Sequence, residues 1–341
     1  MSNRTEYFDV LRGLAIIGVV AIHSSESGLQ LGDNSLNYHY TVLWRNLLNF
    51  SVPMFLAISG YFSSKKKIGH SDAYLTFLKK RIPRVYIPMF FWSVAWLCLA
   101  VLIQNKSIIH EIVKLVSFQS CFPYYFIALI IQYYILLPIL NRLANTKGLV
   151  VCVAISIIMT GIIFYLRYYT DIRLPLIIYA GNFATWVMFF VLGLYLGSTA
   201  QIKISNKFLI VFILTFYILS CVESYTLIAM FHQAGNAVTA VKASSFLYSF
   251  ALIVFLFKNH DLIRSKILKS VGEVSFGIYL IHVFPLMVAS RLILRLLPSF
   301  QEFSPVYQFS LIGIVVMSCF LCISIFNSVF STKSSRFIGF K

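Results

Sequence analysis

The sequence predicts an all-α fold, a polytopic membrane bundle of about ten transmembrane helices with both termini in the cytoplasm. Three observations predict it. Of the 341 residues, 59% are hydrophobic and only 11% are charged, whereas a soluble domain carries about 25% charged residues. Several stretches carry no charge over a length that crosses the hydrocarbon core of a bilayer, about 30 Å. Basic residues, finally, concentrate in alternate connections between these stretches.

The uncharged stretches indicate where the helices lie. An α-helix rises about 1.5 Å per residue, so roughly 20 apolar residues cross the hydrocarbon core. Uncharged stretches of sufficient length cover 85–105, 115–141, 148–166, 174–202 and 303–332. The expected spans lie near 8–24, 42–62, 85–103, 124–140, 149–166, 182–198, 207–222, 241–257, 273–290 and 307–330.

The first and seventh spans need separate arguments. A signal peptide is not expected at the N-terminus, because Glu6 and Asp9 lie in its leader and no clear small-residue cleavage site follows. Residues 224–233 either extend the seventh span or re-enter the bilayer, which leaves nine or eleven spans as alternatives. We expect residues 1–341 to form a single integral-membrane domain without an appended soluble domain.

The net charge of +17 raises the question of a nucleic-acid partner, and its distribution argues against one. With the spans above, 19 of the 28 Lys and Arg residues fall on one side of the membrane. This asymmetry follows the positive-inside rule and places both termini in the cytoplasm. The basic excess therefore reflects topology, with an added attraction to the anionic headgroups of the phospholipid bilayer or to an anionic cofactor.

Two connections are longer than the others. Residues 24–43, expected outside, carry Glu26 and Asp33 but no Lys or Arg. Residues 63–84, expected inside, are strongly basic and amphipathic, which favours a segment lying on the inner membrane surface. Of the six cysteines, Cys319 and Cys322 have the spacing of a redox or zinc pair, but within an apolar span we interpret them as packing residues. We expect no metal.

The first span carries the largest set of polar residues. A charge inside a span is costly and indicates function by default. Arg12 and His23 are eleven residues apart, which returns them to nearly one helix face with roughly 16 Å between them along the axis. Asp9 can pair with Arg12, and Glu26 could orient or charge the imidazole of His23. The alternative is that Arg12 anchors the cytoplasmic end while His23 caps the outer end.

Small residues lie along the same helix. Gly13, Ala15, Gly18 and Ala21 would let neighbouring helices approach closely. This composition suits a central, enclosed position, and it is equally compatible with ordinary helix packing.

A basic cluster precedes the third span. Lys80, Arg81 and Arg84 surround Pro83, and the two guanidinium groups could bind phosphates in a bidentate manner. The alternative is a topological anchor. Two further polar positions lie inside spans. His282 follows Tyr279 by three residues and is interpreted as a hydrogen-bonded packing element, whereas Gln132 could face a polar cavity.

Several stretches together resemble the membrane acyltransferase 3 family, whose members O-acetylate cell-surface and secreted glycans. They are YFDVLRGLAIIGVVAIH at 7–23, NLLNFSVPMFLAISGYF at 46–62, the Arg81-x-x-Arg84 pair, the aromatic segment 122–140 and SFGIYLIH at 275–282. They occur in the family's order along nearly the whole chain. The soluble esterase-like domain that some members carry after the membrane part does not occur in this sequence.

The resemblance implies roles for individual residues. His23 matches the essential histidine of the family and Arg12 the arginine of its Arg-x10-His motif, while Ser59-Gly60 matches a pair with a structural role. Arg81 and Arg84 match the cytoplasmic Arg-x-x-Arg motif, which handles acetyl-CoA. With Lys80 and Glu26, these residues are the expected cofactor-binding and catalytic set of an O-acetyltransferase.

The resemblance and the polar pattern together predict the reaction. Acetyl-CoA, made in the cytoplasm, would donate its acyl group to a hydroxyl of a glycan or lipid-linked oligosaccharide on the far side, with His23 as general base or acyl carrier. The expected location is a bacterial cytoplasmic (inner) membrane. The alternatives are a polytopic exporter or transporter of a glycan or small solute, with a broken helix pair or an inverted repeat, and a structural partner in polysaccharide assembly.

Overall fold

The computed structural model describes residues 3–32, 35–64, 71–170, 172, 174–198 and 202–341. Within these ranges the regular elements are all helical, and helices account for 83% of the structure. The prediction of an all-α fold is confirmed. Asp33 and residues 65–70 of the expected inner-surface segment lie outside the described residues.

The chain divides into two compact units, residues 1–58 with 199–322 and residues 59–198 with 323–341. The boundary falls inside helices α3 and α16. In chain order the helices are α1 (Asn3–Ser24), α2 (Leu36–Leu48), α3 (Ser51–Ser64), α4 (Ser71–Leu102), α5 (Ile108–Val116), α6 (Tyr125–Arg142), α7 (Thr146–Tyr168), α8 (Leu176–Tyr179), α9 (Phe183–Ser198), α10 (Asn206–Phe231), α11 (Ala234–Ala237), α12 (Ala243–Lys258), α13 (Lys266–Glu273), α14 (Ser275–Ile281), α15 (Val283–Leu296), α16 (Ser304–Val329) and α17 (Thr332–Phe337).

Seven helical segments among the described residues are long and apolar enough to cross a membrane. An eighth candidate is formed by α14 and α15, which meet at a bend of 57°. Two shorter apolar helices, α9 and α12, lie where the sixth and eighth spans are expected. The structure thus confirms a polytopic helical membrane protein, while the number of ten spans and the cytoplasmic termini stay predictions.

Helix α4 differs from the sequence-based expectation. It begins at Ser71 and continues for 32 residues to Leu102, whereas the expected span began at residue 85 with a separate surface segment before it. Pro83 lies inside the helix and does not start it. A proline cannot donate the backbone hydrogen bond to the residue four positions earlier. The helix nevertheless continues through Pro83, because residues 78–81 before it are good helix formers. The separation of residues 71–84 from the third span was therefore wrong.

Two other spans are settled in detail. The seventh span is extended, since α10 runs without interruption from Asn206 to Phe231, so residues 224–231 continue the helix. The second expected span consists of α2 and α3, separated by Asn49 and Phe50. Asn49 uses its side-chain amide to donate to Ser245 Oγ at 3.0 Å, which gives this polar residue a partner inside the first unit.

In the first unit, α1 is closely surrounded. In the candidate span Thr5–Gln30, which includes most of α1, 72% of the most apolar 18-residue stretch is buried. The corresponding stretches of α7 and α10 are each 22% buried. A methyl group on Gly13 would collide with the carbonyl of Leu268 in α13, and one on Gly272 would collide with the carbonyl of Asp9. The two backbones approach this closely because neither glycine carries a side chain. The enclosed position that the small residues indicated is confirmed.

A buried polar cluster connects α2, α10 and α12 within the same unit. The Lys242 ammonium donates to Asn46 Oδ1 at 2.8 Å, to the carbonyl of Ser220 at 3.0 Å and to Ser224 Oγ. Lys242 is only 3% exposed. Its three N–H groups are thus satisfied, as a buried charge requires, and the cluster holds α2 in place beside the two other helices.

In the second unit, α6 and α9 are tied together by side chains on α6. Gln132 donates to the carbonyl of Gly181 at 2.7 Å and accepts from the backbone N–H of Phe183 at 3.2 Å. Tyr133 donates to the carbonyl of Phe183 and its ring stacks on Phe190 at 4.6 Å between centroids. Both ends of the Gln132 amide therefore bind backbone groups, and its place beside a polar cavity stays a prediction.

Candidate active site

Two histidines from different parts of the sequence meet in the first unit. His23 lies at the C-terminal end of α1, and His282 lies between α14 and α15. Their rings are stacked, with 5.5 Å between centroids and 25° between planes. His282 is completely buried and His23 is half-buried. The fold thus places two groups capable of proton transfer and nucleophilic attack side by side.

The backbone fixes the orientation of His282. Its Nδ1 lies 2.8 Å from the carbonyl oxygen of Tyr279 and 3.2 Å from that of Ile278. The chain bends by 57° between α14 and α15, where His282 lies. Because both partners are carbonyl oxygens, which can only accept, Nδ1 carries the proton and Nε2 is left with a lone pair.

An ion pair joins Glu26, three residues beyond His23, to Arg45 of α2. The Glu26 carboxylate accepts from Arg45 Nη1 at 2.7 Å. The Arg45 side chain is 8% exposed and that of Glu26 is 62% exposed. The guanidinium also acts electrostatically on the His23 ring. Arg45 therefore adds a positive charge to the surroundings of the imidazole pair.

Several buried polar atoms near these groups have no hydrogen-bond partner among the described residues. They are Nε2 of His282, Nε of Arg45, Oγ of Ser24 and Oε1 of Gln308. Gln308 belongs to the same neighbourhood, because its amide donates at 2.8 Å to Thr41, one helical turn before Arg45. Unsatisfied buried polar atoms are costly, and a ligand bound beside the two histidines could supply the missing partners.

At the other end of α1, Arg12 pairs with Asp9. Arg12 Nη1 lies 2.5 Å from Asp9 Oδ1, and Asp9 is 8% exposed. The pairing predicted from the three-residue spacing is confirmed. The Asp9 region is also where α13 packs on α1, so the ion pair forms part of a tightly packed contact between these helices.

The basic cluster of α4 lies in the second unit. Arg84 follows Lys80 by four residues and Arg81 by three, which is the spacing of neighbouring side chains on a helix surface. We refer to Lys80, Arg81 and Arg84 as the arginine stripe. Lys80 and Arg84 are exposed and Arg81 is half-buried. No carboxylate of a described residue lies within ion-pair distance of the stripe. Its three charges are available to an anionic ligand.

Comparison with known proteins identifies the architecture. A family model described as an acyltransferase domain, of the acyltransferase 3 type, matches residues 5–326. The chain belongs to the acyltransferase 3 family. It is also 24% identical over 312 residues to the Bacillus subtilis (strain 168) protein named "Putative membrane-bound acyltransferase YfiQ", covering 84% of this chain and 82% of the relative. No solved structure matches the acyltransferase.

The site residues predicted from the sequence are divided between the two units of the acyltransferase. His23, Glu26 and Arg12 lie in the first unit, and the arginine stripe lies in the second. The catalytic and donor-binding roles of these residues stay predictions. Glu26 has Arg45 as its partner in the structure, and its effect on His23 would pass through that pair.

The sequence did not indicate two residues of the candidate site. Arg45 is a charge within the second expected span, and the rule that marks intramembrane charges as functional would have found it. His282 was interpreted as a packing residue, and its backbone hydrogen bonds do show a structural part. No sequence pattern, however, indicates that residue 282 stacks on residue 23.

Proposed function

We propose that this membrane acyltransferase moves an acetyl group from cytoplasmic acetyl-CoA to a hydroxyl of an extracytoplasmic or lipid-linked glycan. The observation that carries the proposal is the stacked pair of His23 and His282 beside the buried Arg45. A glycan hydroxyl is a weak nucleophile, and its attack on a thioester needs a group that removes its proton or carries the acyl group. His23 serves in one of these roles.

The ion pairs supply the electrostatic part. Negative charge develops on the carbonyl oxygen when the thioester carbon is attacked, and a fixed cation in a site of low dielectric stabilises it. Arg45, held by Glu26, is such a cation close to His23. Arg12, whose charge is shared with Asp9, positions the donor or stabilises the same charge further along α1.

The arginine stripe binds the phosphate groups of the donor. Acetyl-CoA carries phosphates at one end and the thioester at the other. Guanidinium groups contact phosphate through paired N–H groups, and the ammonium of Lys80 adds a third charge. The location that follows from this donor and acceptor is a bacterial cytoplasmic (inner) membrane, which separates the acetyl-CoA pool from the surface glycans.

The exporter alternative has one feature in its favour, because α14 and α15 form a broken helix of the kind found in transporters. A transporter leaves its solute chemically unchanged, so the two functions are separated by following the acyl group. The break also has a role in the proposed enzyme, since it is where His282 lies.

The test uses purified protein in lipid nanodiscs with acetyl-labelled acetyl-CoA and bacterial surface glycans. We expect label on the glycan with the parent protein and a loss of at least about a hundredfold in rate for His23→Ala, the usual scale for removing a general base. His110→Ala, which changes an exposed histidine, is the matched control and should transfer normally. A folded His23→Ala protein with full activity would disprove the role of His23. Unlabelled glycan throughout, with succinyl-CoA also inactive, would disprove the proposed reaction.

A further inference from the structure

The starting observation is the Nε2 atom of His282. The ring is completely buried, and Nδ1 is committed to the carbonyls of Tyr279 and Ile278. This leaves Nε2 as a hydrogen-bond acceptor. No donor of a described residue reaches it. A buried acceptor without a donor is destabilising, so an apolar side chain would serve better here if the ring had a packing role alone.

The surroundings identify the missing donor. Nε2 belongs to a ring stacked 5.5 Å from that of His23, so whatever donates to it lies at the reacting centre. Of the groups that an acyl transfer brings to that centre, the thioester carbon and oxygen carry no hydrogen. The acceptor hydroxyl carries one, and it must lose it.

We propose that Nε2 of His282 accepts the proton of the acceptor hydroxyl. The proposal rests on the transferase function argued above. Of the two roles open to His23, this leaves that of acyl carrier. A ring nitrogen of His23 attacks the thioester carbon, the C–S bond breaks, and the thiolate takes the proton of the His23 ring, which gives the free thiol and neutral acyl-His23. The hydroxyl oxygen then attacks the acyl carbon, the O–H bond breaks and the proton moves to Nε2 of His282. The ester C–O bond forms, the C–N bond of acyl-His23 breaks, and the released His23 nitrogen takes the proton from Nε2. The products are the ester and the free thiol, and both imidazoles return to their starting forms.

The assignment divides the work between the two imidazoles. His282 is held at Nδ1 by the backbone, so its free nitrogen cannot rotate away, which suits a proton acceptor that must meet one atom. His23 is held on α1, near the guanidinium of Arg45, which suits attack of a ring nitrogen on the acyl carbon. Two imidazolium charges at this separation would repel each other, so the pair holds one extra proton at a time.

The deciding experiment compares two acceptors. A sugar hydroxyl needs a base to take its proton, whereas hydroxylamine attacks the acyl group on His23 without one and yields a hydroxamate. For His282→Phe, which keeps an aromatic ring and removes the nitrogens, we expect a loss of at least about a hundredfold in transfer to the glycan. Hydroxamate formation from acetyl-CoA should stay within about threefold of the parent rate. His23→Ala should lose both reactions.

A second measurement covers the case in which His282→Phe does not fold. His282→Ala leaves space for an added ring, and imidazole should restore glycan transfer while pyrazole, of equal size and much weaker basicity, should not. Normal glycan transfer by a folded His282 variant would overturn the proposal. So would equal loss of both reactions, or equal rescue by the two rings, since each indicates a packing role. Absence of transfer by the parent protein would instead overturn the transferase function itself.

Discussion

The imidazole pair and the arginine stripe are the two regions expected to act on the acyl donor, and they are built in opposite ways. His23 and His282 lie among buried groups, with neighbours fixed by backbone contacts and ion pairs. The arginine stripe is largely exposed on one face of a long helix, without a carboxylate partner among the described residues. Side chains that make or break covalent bonds with a substrate need fixed positions. Phosphate groups, by contrast, can be bound by flexible side chains that adapt to the ligand.

The largest effect should follow from disturbing the packing of α1 against α13. Gly13→Ala would press a methyl group against the carbonyl of Leu268. Backbone cannot move aside as a side chain can, so we expect a loss of at least about 2 kcal/mol in unfolding free energy, and of transferase activity with it. Gly313→Ala, in α16, is the matched control, because nothing lies within 4 Å of the added methyl group. Thermal unfolding in nanodiscs measures both, and equal melting temperatures would contradict close α1–α13 packing.

The next effect concerns the arginine stripe. In the double variant Arg81→Ala, Arg84→Ala we expect the KM for acetyl-CoA to rise about 10- to 100-fold with kcat nearly unchanged, since each exposed arginine–phosphate contact contributes about 1 kcal/mol. The melting temperature should change little, because neither side chain pairs with a carboxylate in the part of the chain that the structure describes. Arg142→Ala, an exposed arginine at the end of α6, is the control. Unchanged donor affinity in the double variant would remove the docking role.

A third effect tests the buried polar cluster that holds α2. Lys242 is 3% exposed and donates to Asn46, Ser220 and Ser224. Lys242→Met removes these donors and leaves the buried acceptors without them, so we expect a loss of about 1 kcal/mol in unfolding free energy. Thermal unfolding in nanodiscs measures the difference, and equal melting temperatures for the two proteins would contradict a stabilising role of the cluster.

The smallest effect concerns Glu26. Glu26→Gln removes the charge that holds Arg45, but the carboxylate is 62% exposed and solvent screens it. We expect kcat to fall about three- to tenfold, without a change in donor KM. Asp261→Asn is the control, because it breaks an ion pair with Arg264 in which both side chains are exposed. A fall in kcat of the same size in the control would mean that the effect is not specific to the Glu26–Arg45 pair.

The sequence predicted the fold class because bilayer-spanning helices must satisfy their backbone hydrogen bonds within the segment, which leaves apolar length as a strong signal. It also predicted the Arg12–Asp9 pair, which depends on local spacing alone. It failed where the outcome depends on tertiary packing. Nothing in residues 71–84 shows that this basic, proline-containing segment continues the third span, and nothing near Gln132 indicates the backbone groups at Gly181 and Phe183 that it binds.

The candidate site shows the same division. His23 could be selected from one helix, because its polarity inside an apolar stretch is a local property. The role proposed for His282 comes from contact with a residue 259 positions earlier in the chain and from its place at the bend between α14 and α15. Arg45 and Glu26 are 19 residues apart and meet because the chain reverses between α1 and α2.

The length of α4 has a consequence for the lipid. From Arg84 to Leu102 the helix rises ~27 Å at about 1.5 Å per residue, close to the ~30 Å thickness of the hydrocarbon layer. When Leu102 lies at one boundary of that layer, Arg84 lies at the other. The length of the helix therefore places the guanidinium groups at headgroup depth. Lipids with longer acyl chains would draw these charges toward the apolar phase or reduce the tilt of the helix, and capture of the donor would then depend on the lipids that surround the enzyme.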